Sequence, residues 1–272
     1  MPKYFSRNLF GILLVQVLLS SPVYAGVEFD GVDDCVGSTT SITYGTNVLS
    51  LSLWAFYTDS GGNDIIFETT VNAGSNAPAI LLVLPSTATA GSCDGSAIDG
   101  IIFSGGGARE ECLNDRPAAN EWHHYVAIFD NSTENGDVKI YVDGVEETLV
   151  IGTNTASGTS NYTSANSYIG FRACVTSSAY TGLVSEVFLY QGALSDSEIR
   201  LLGLSRVKRT GLQIDNTKLF MWPLDDQSDG TSADGTVFSD ISGNGETATG
   251  DDGANNTGLT AKAEEVLTYP PN

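Results

Sequence analysis

The chain has 272 residues, with 12 Lys and Arg against 33 Asp and Glu, for a formal charge of −21. A surface this acidic repels phosphate backbones and anionic lipid, which argues against nucleic acid and membrane surfaces as partners. Hydrophobic residues make up 41% and charged residues 17%, enough apolar material for one large β domain or two small ones.

The first 25 residues read as a secretory signal. Lys3 and Arg7 form a positive start, an apolar run from Leu9 to Leu19 follows, and Val23 and Ala25 are the small residues before a cleavage at Gly26. The run is too short for a spanning helix. The expected product is a secreted protein, more acidic still once those two cations are removed.

From residue 27 onward, short runs rich in β-branched and aromatic residues alternate with Gly, Asn, Asp and Ser clusters. "VEFDG", "LSLSLWAFY", "DIIFETTV", "AILLVL", "DGIIFS", "HHYVAIFD", "VKIYVDG", "SYIGFRA" and "LVSEVFLYQ" come in that order. This is the pattern of an all-β protein. "NSTENGD" joins two of the runs as a hairpin with an Asn-Gly turn. Only "SDSEIRLLGL" reads as helical, with Ser195 as N-cap and Glu198 three residues on.

Residues 204–217 break the pattern. Arg206, Lys208 and Arg209 gather there in a chain that is otherwise poor in bases, and they read as an exposed connection or a proteolytic site. One more apolar strand, "KLFMWPL", precedes an acidic, Gly-rich stretch and a final segment to residue 272. Trp222 and Phe220 share one face of that strand by alternation, and Trp54 and Trp122 also sit among apolar neighbours, so all three tryptophans are expected in the core.

Four cysteines remain after cleavage. An even count in an exported chain favours two disulfides. Cys93 and Cys112 flank the hairpin "IDGIIFSGGGARE" and are expected to pair, which leaves Cys35 with Cys174. No CxxC spacing suggests a metal.

Four of these segments, in order, resemble the laminin-G-like, concanavalin A-like jelly rolls. "VEFDGVDDCV" resembles their F-D-G-x-D-D strand and "LSLSLWAFY" their Trp-bearing strand. "NEWHHYVAIFDNSTENGDVKIYVDGV" is similar to their W-H-H-V-A hairpin, and "YTGLVSEVFLYQGALSDSEIRLL" to their closing strand and helix. The resemblance implies an antiparallel β-sandwich with one short helix over residues 26–203. A fifth match is out of place. "LFMWPLDDQSDG…DISGNG" resembles the family's opening strand and D-x-S-G-N-G turn, yet it follows the closing helix. Residues 218–272 are therefore expected to complete the sandwich, either in their own chain or in a neighbour's.

The residue types point to binding rather than catalysis. "SEVFLYQ" offers Glu186 alone, and "VEFDGVDD" is interrupted by a Gly turn after Asp30, so neither gives the E-x-D-x-x-E arrangement of the related glucanases. His123 and His124 lie inside a strand and read as structural. No enzymatic activity is expected, with a glycan hydrolase or lyase as the remote alternative. Calcium is the expected cofactor, because Asp225, Asp226, Asp240 and Asn244 flank Gly-rich turns that supply carbonyl oxygens. The same residues also make ordinary Asx turns. The resemblance adds Asp30 and Glu186 to this set. For ligand contact, Tyr162 and Tyr180 stand in polar loops with Arg172 between them. Sequons at Asn131, Asn161 and Asn255 are glycan acceptors only in a host that uses them. The expected function is a secreted, non-catalytic module that binds glycan or an extracellular protein. The alternative is a structural subunit that self-associates by exchanging its C-terminal strand.

Overall fold

The structure, a computed structural model, describes residues 25–58, 64–70, 79–84, 93, 98–113, 117–170, 174, 178–204, 214–251 and 259–263. The expected signal segment before residue 25, Arg172, the basic run 206–209, Asn255 and the last nine residues lie outside them.

In chain order the strands are β1 (Ala25–Asp30), β2 (Cys35–Ser38), β3 (Val48–Tyr57), β4 (Ile65–Thr70), β5 (Ala79–Val83) and β6 (Ile98–Ser104). Then come β7 (Gly107–Leu113), β8 (Trp122–Asp130), β9 (Asp137–Val142), β10 (Val145–Glu146), β11 (Val150–Asn154), β12 (Asn166–Ile169) and β13 (Thr181–Gln191). Helix α1 (Asp196–Leu204) follows, then β14 (Lys218–Trp222), β15 (Val237–Phe238), β16 (Ala248–Asp251) and β17 (Thr260–Ala263). They form two antiparallel sheets. The first runs β10-β9-β8-β3-β13-β1-β17, with β14 also on β13, and the second runs β11-β7-β6-β5-β4-β12-β2-β16-β15. The expected all-β sandwich with one short helix is what the chain adopts.

Alternation explains the layering. In β3, Leu49, Leu51, Leu53, Ala55 and Tyr57 point inward to the core shared by both sheets. The intervening Ser52 and Trp54 point the other way, where Trp54 meets His124 at 5.2 Å between rings and Ser52 Oγ lies 2.9 Å from His124 Nε2. Helix α1 covers this outer face, with Ile199 and Leu202 packed on Val126, Ile128, Phe188, Tyr190 and Met221. Ser195 and Glu198 make the expected capping box. The Ser195 N–H donates to Glu198 Oε2 at 2.8 Å, and the Glu198 N–H returns to Ser195 Oγ at 3.4 Å. Among the described residues, no helix is long and apolar enough to cross a membrane.

The C-terminal segment pairs within its own chain. β13 carries β3 along one side from Gly182 to Gln191, with a register shift between Ser185 and Phe188. Along the other side, Val184 to Thr181 face β1, and Val187 to Tyr190 face β14. Both partners are antiparallel to β13, so β14 and β1 run end to end in the same direction. The seam between them falls at a bulge where Glu186 adopts φ 54° and its N–H reaches the Pro223 carbonyl. β17 adds to the far side of β1, with Val27 opposite Ala261, and β16 adds to β2.

Both disulfides have the expected partners. Cys35 joins Cys174 and Cys93 joins Cys112, with Cα separations of 5.6 and 5.7 Å.

Candidate functional site

Helix α1 closes the outer face of the first sheet. The outer face of the second sheet holds an open groove of about 590 Å³ over β2, β12 and β16. Strand register builds its floor. Tyr168 of β12 and Thr249 of β16 both stand opposite Gly37 of β2. Gly37 has no side chain, so the Tyr168 ring lies down over it, and a Cβ placed there would meet the ring carbons at 3.1 and 3.2 Å. Ser38, Thr39, Asn166 and Thr249 add hydroxyl and amide groups, and Asp234 and Asp251 stand exposed at the rim. The Asn166 amide is fixed by donating to the Ser38 carbonyl at 3.1 Å. Partial burial, helped by the nearby negative charge of Glu68, pushes the Tyr168 phenol above its usual pKa, so it stays a neutral donor and acceptor. A partly exposed aromatic face ringed by planar and hydroxyl groups is the chemistry that meets a sugar, apolar on one face and polar around its edge.

The tyrosines expected at this task are elsewhere. Tyr162 is 1% exposed and Tyr180 0%. The Tyr162 hydroxyl donates to the Phe129 carbonyl at 3.4 Å, and the Tyr180 ring packs edge-on against Phe29. Both are core residues, and a buried ring has no face to offer a ligand. Their polar sequence neighbours hid this. Arg172 lies outside the described residues. Gly37, Asn166 and Tyr168 are the residues that the sequence reading missed, although a lone Gly in the strand "CVGS" is a sign of close approach.

The six expected calcium ligands do not converge, and Asp226 accepts instead from the N–H and hydroxyl of Ser239. Asp30 pairs with Thr181 at the end of β1, whereas Glu186 sits at the β13 bulge, 5% exposed. Asp225 is exposed after β14. Asp240 serves as a turn residue. Its Oδ1 accepts from the N–H groups of Met221 and Ser242, and its Oδ2 from the Ser242 hydroxyl and the Glu246 N–H, all within 3.0 Å. Asn244 donates its amide to the carbonyls of Lys218 and Leu219. The two residues pin the 240–246 turn to β14. The oxygens of Asp240 are already spent on donors, so the Asx-turn reading prevails there.

Carboxylates gather instead in the turn from β1 to β2. One oxygen each from Asp30, Asp33 and Asp34 lies within 4.8 Å of the others. Burial, with the charges of Asp30 and Asp33, pushes the Asp34 carboxyl up to about 7 against the pull of the Asp30 N–H. Cys93, Asp99 and Cys112 also lie close together, but both sulfurs are in a disulfide and offer no thiolate.

His123 and His124 lie inside a strand, β8, as expected. His124 is buried, and His123 Nδ1 lies 2.7 Å from Asp143. Of the tryptophans, Trp222 and Trp54 are buried, while Trp122 is only half-buried, against Phe56 at the strand end.

The family model described as the concanavalin A-like lectin/glucanases superfamily matches residues 30–200. No curated protein matches the chain in sequence. Among solved structures, a putative carbohydrate binding protein from Bacteroides ovatus is similar, with a TM-score of 0.55 at 16% identity, over 90% of this chain and 61% of that one. The heptameric SAP-like pentraxin from Limulus polyphemus is also similar, with a TM-score of 0.51 at 10% identity, over 72% of this chain and 91% of that one. At these identities the likeness is one of fold.

Proposed function

The chain belongs to the concanavalin A-like lectin/glucanases superfamily, and from that premise we propose that it is a secreted, non-catalytic module that binds neutral glycan on the outer face of its second sheet. The observation that carries the reading is the Tyr168 ring laid over Gly37, with Ser38, Asn166 and Thr249 around it. The similar fold of a putative carbohydrate binding protein supports it. The acidic rim and the charge of −21 favour neutral sugars over sulfated or uronate-rich ones. The two disulfides suit export. An extracellular protein is the second class of partner that this surface could serve.

The strand-exchange reading is weaker, because β14 and β17 are already bonded within their own chain. The test is a glycan array with the mature protein, followed by titration calorimetry on any hit. Tyr168→Ala should lose binding by about 1 kcal/mol or more without loss of fold. Binding that is indifferent to Tyr168 would move the site elsewhere. Release of shorter sugars from a bound glycan would make the protein an enzyme.

A further inference from the structure

Strand register carries the groove beyond Tyr168. Glu68 of β4 stands opposite Tyr168 of β12, and Tyr168 opposite Gly37 of β2. Gly37 stands opposite Thr249 of β16, and Thr249 opposite Val237 of β15. Residues directly opposite in antiparallel strands share a face, so these positions form one row across the outer face of the second sheet. The two ends of the row differ. Glu68 is 3% exposed and Leu81, its neighbour on β5, 7%, whereas Val237 at the sheet edge is 56% exposed. The groove is therefore blind beside Tyr168 and open at β15. From β12 through β2 and β16 to β15 it crosses three strand spacings, about 14 Å, which is more than one sugar ring fills.

The walls show that the groove runs across the strands. Ser38, opposite Ala248, lies toward one end of β16, with Asn166 fixed to its carbonyl. Asp251, opposite Cys35, lies toward the other end. Asp234 is on that side too, next to Gly235, whose N–H donates to the Gly250 carbonyl. Hydroxyl and amide groups thus line one side of the row and carboxylates the other. Val237 is exposed and apolar at a sheet edge, where a charged side chain is the usual protection. A channel closed at one end admits the end of a chain and not its middle. We propose that the groove takes the terminus of a linear, neutral oligosaccharide, with the last sugar on Tyr168 and the chain leaving over Thr249 and Val237. The proposal rests on the glycan reading above and adds to it the direction of the ligand and a second apolar contact.

Calorimetry with the mature protein tests it, using ladders of one to six units of linear glucan, xylan, mannan and galactan. Affinity should rise at least about tenfold from the shortest member that binds to the length that reaches β15, and then level off. Val237→Ser changes an exposed position and should keep the parent's melting temperature. It should remove most of that rise and leave the shortest member's affinity as it was. Ile241→Ser, exposed but outside the row, should bind as the parent does. The intact linear polysaccharide of the same repeat should take up one protein per chain. Four results overturn the proposal while Tyr168→Ala still abolishes binding, and they leave the glycan reading standing. They are affinity that is flat with length, full affinity in Val237→Ser, an equal loss in Ile241→Ser, and many proteins per polysaccharide chain. Binding to none of the ladders, or binding indifferent to Tyr168, overturns the glycan reading itself and this proposal with it.

Discussion

Trp222 stacks on Phe220 with ring centroids 3.8 Å apart and planes 15° from parallel, and its indole N–H donates to the Glu246 carbonyl. Neither ring has exposed surface. The pair plugs β14 into the core beneath the seam with β1, so the late segment is structural rather than an appendage. Trp222→Ala should therefore cost about 3–5 kcal/mol, through lost packing and an orphaned carbonyl. Urea denaturation measures this. A loss under about 1 kcal/mol would mean that β14 is not seated as described. Since β14 pairs in its own chain, the mature protein should elute as a monomer at every concentration tested. Growth with concentration would revive strand exchange.

The disulfides should differ in worth. Cys35–Cys174 spans 139 residues and Cys93–Cys112 spans 19. If the bridges act by restricting the unfolded chain, removing the long one as a double Ser variant should cost roughly 5 kcal/mol and the short one roughly 3. Equal losses, or a larger loss for the short bridge, would count against the chain-entropy account here.

Glu198 ties two elements together. Beyond capping α1, its Oε1 accepts the Asp215 N–H at 2.9 Å, where the chain returns toward β14. Partial burial opposes its charge, but hydrogen bonds from Ser195, Asp215 and Asn216 win and hold the carboxyl below its ordinary value of 4.5. The sign follows from linkage. The folded state binds this proton less readily than the unfolded state does. Its contribution is therefore complete above the ordinary value and is lost as the pH falls through the lower folded value. Glu198→Gln should cost about 0.5–2 kcal/mol at neutral pH. It should also flatten the acid side of the stability profile below pH 4.5. A profile parallel to the parent's would remove Glu198 from the acid response.

The long strands were legible in the sequence because their alternation is strong, as in "LSLSLWAFY" for β3. The short strands β15 and β16 were not, because "VF" and "ATGD" carry no period that local reading can find. Their place is fixed from outside, by Thr249 opposite Gly37 and Val237 opposite Thr249. The capping box and the Cys93–Cys112 bridge were legible because they rest on local chemistry, and Cys35–Cys174 followed as the pair left over. The site was not, since it depends on three strands far apart in sequence that meet only in register. Tyr162 shows the opposite error. Its Ser, Asn and Thr neighbours signal an exposed loop, yet the Tyr162 N–H bonds to the Thr46 carbonyl and the ring fills the core. A lone aromatic in a polar loop can be the anchor that holds the loop down.

Gly37 offers the sharpest separation of binding from folding. Its φ lies outside the left-handed region, so a side chain there brings no backbone strain. What a Cβ would meet is the Tyr168 ring at 3.1 Å and the Cys174 sulfur at 3.6 Å. The sulfur is fixed by its disulfide, so the ring must yield. Gly37→Ala should shift Tyr168 by a few tenths of an ångström and weaken glycan binding modestly. Gly37→Val should lift the ring off the strand and weaken it at least about tenfold, a difference of roughly 1.4 kcal/mol. Both positions lie on the outer face rather than in the core, so stability should change by less than about 1 kcal/mol. Calorimetry with the array-selected sugar and a parallel urea titration give the two numbers. If binding is intact in Gly37→Val, Tyr168 is not the platform. If binding and stability fall together, Gly37 is needed for the sheet itself and the groove loses its strongest support.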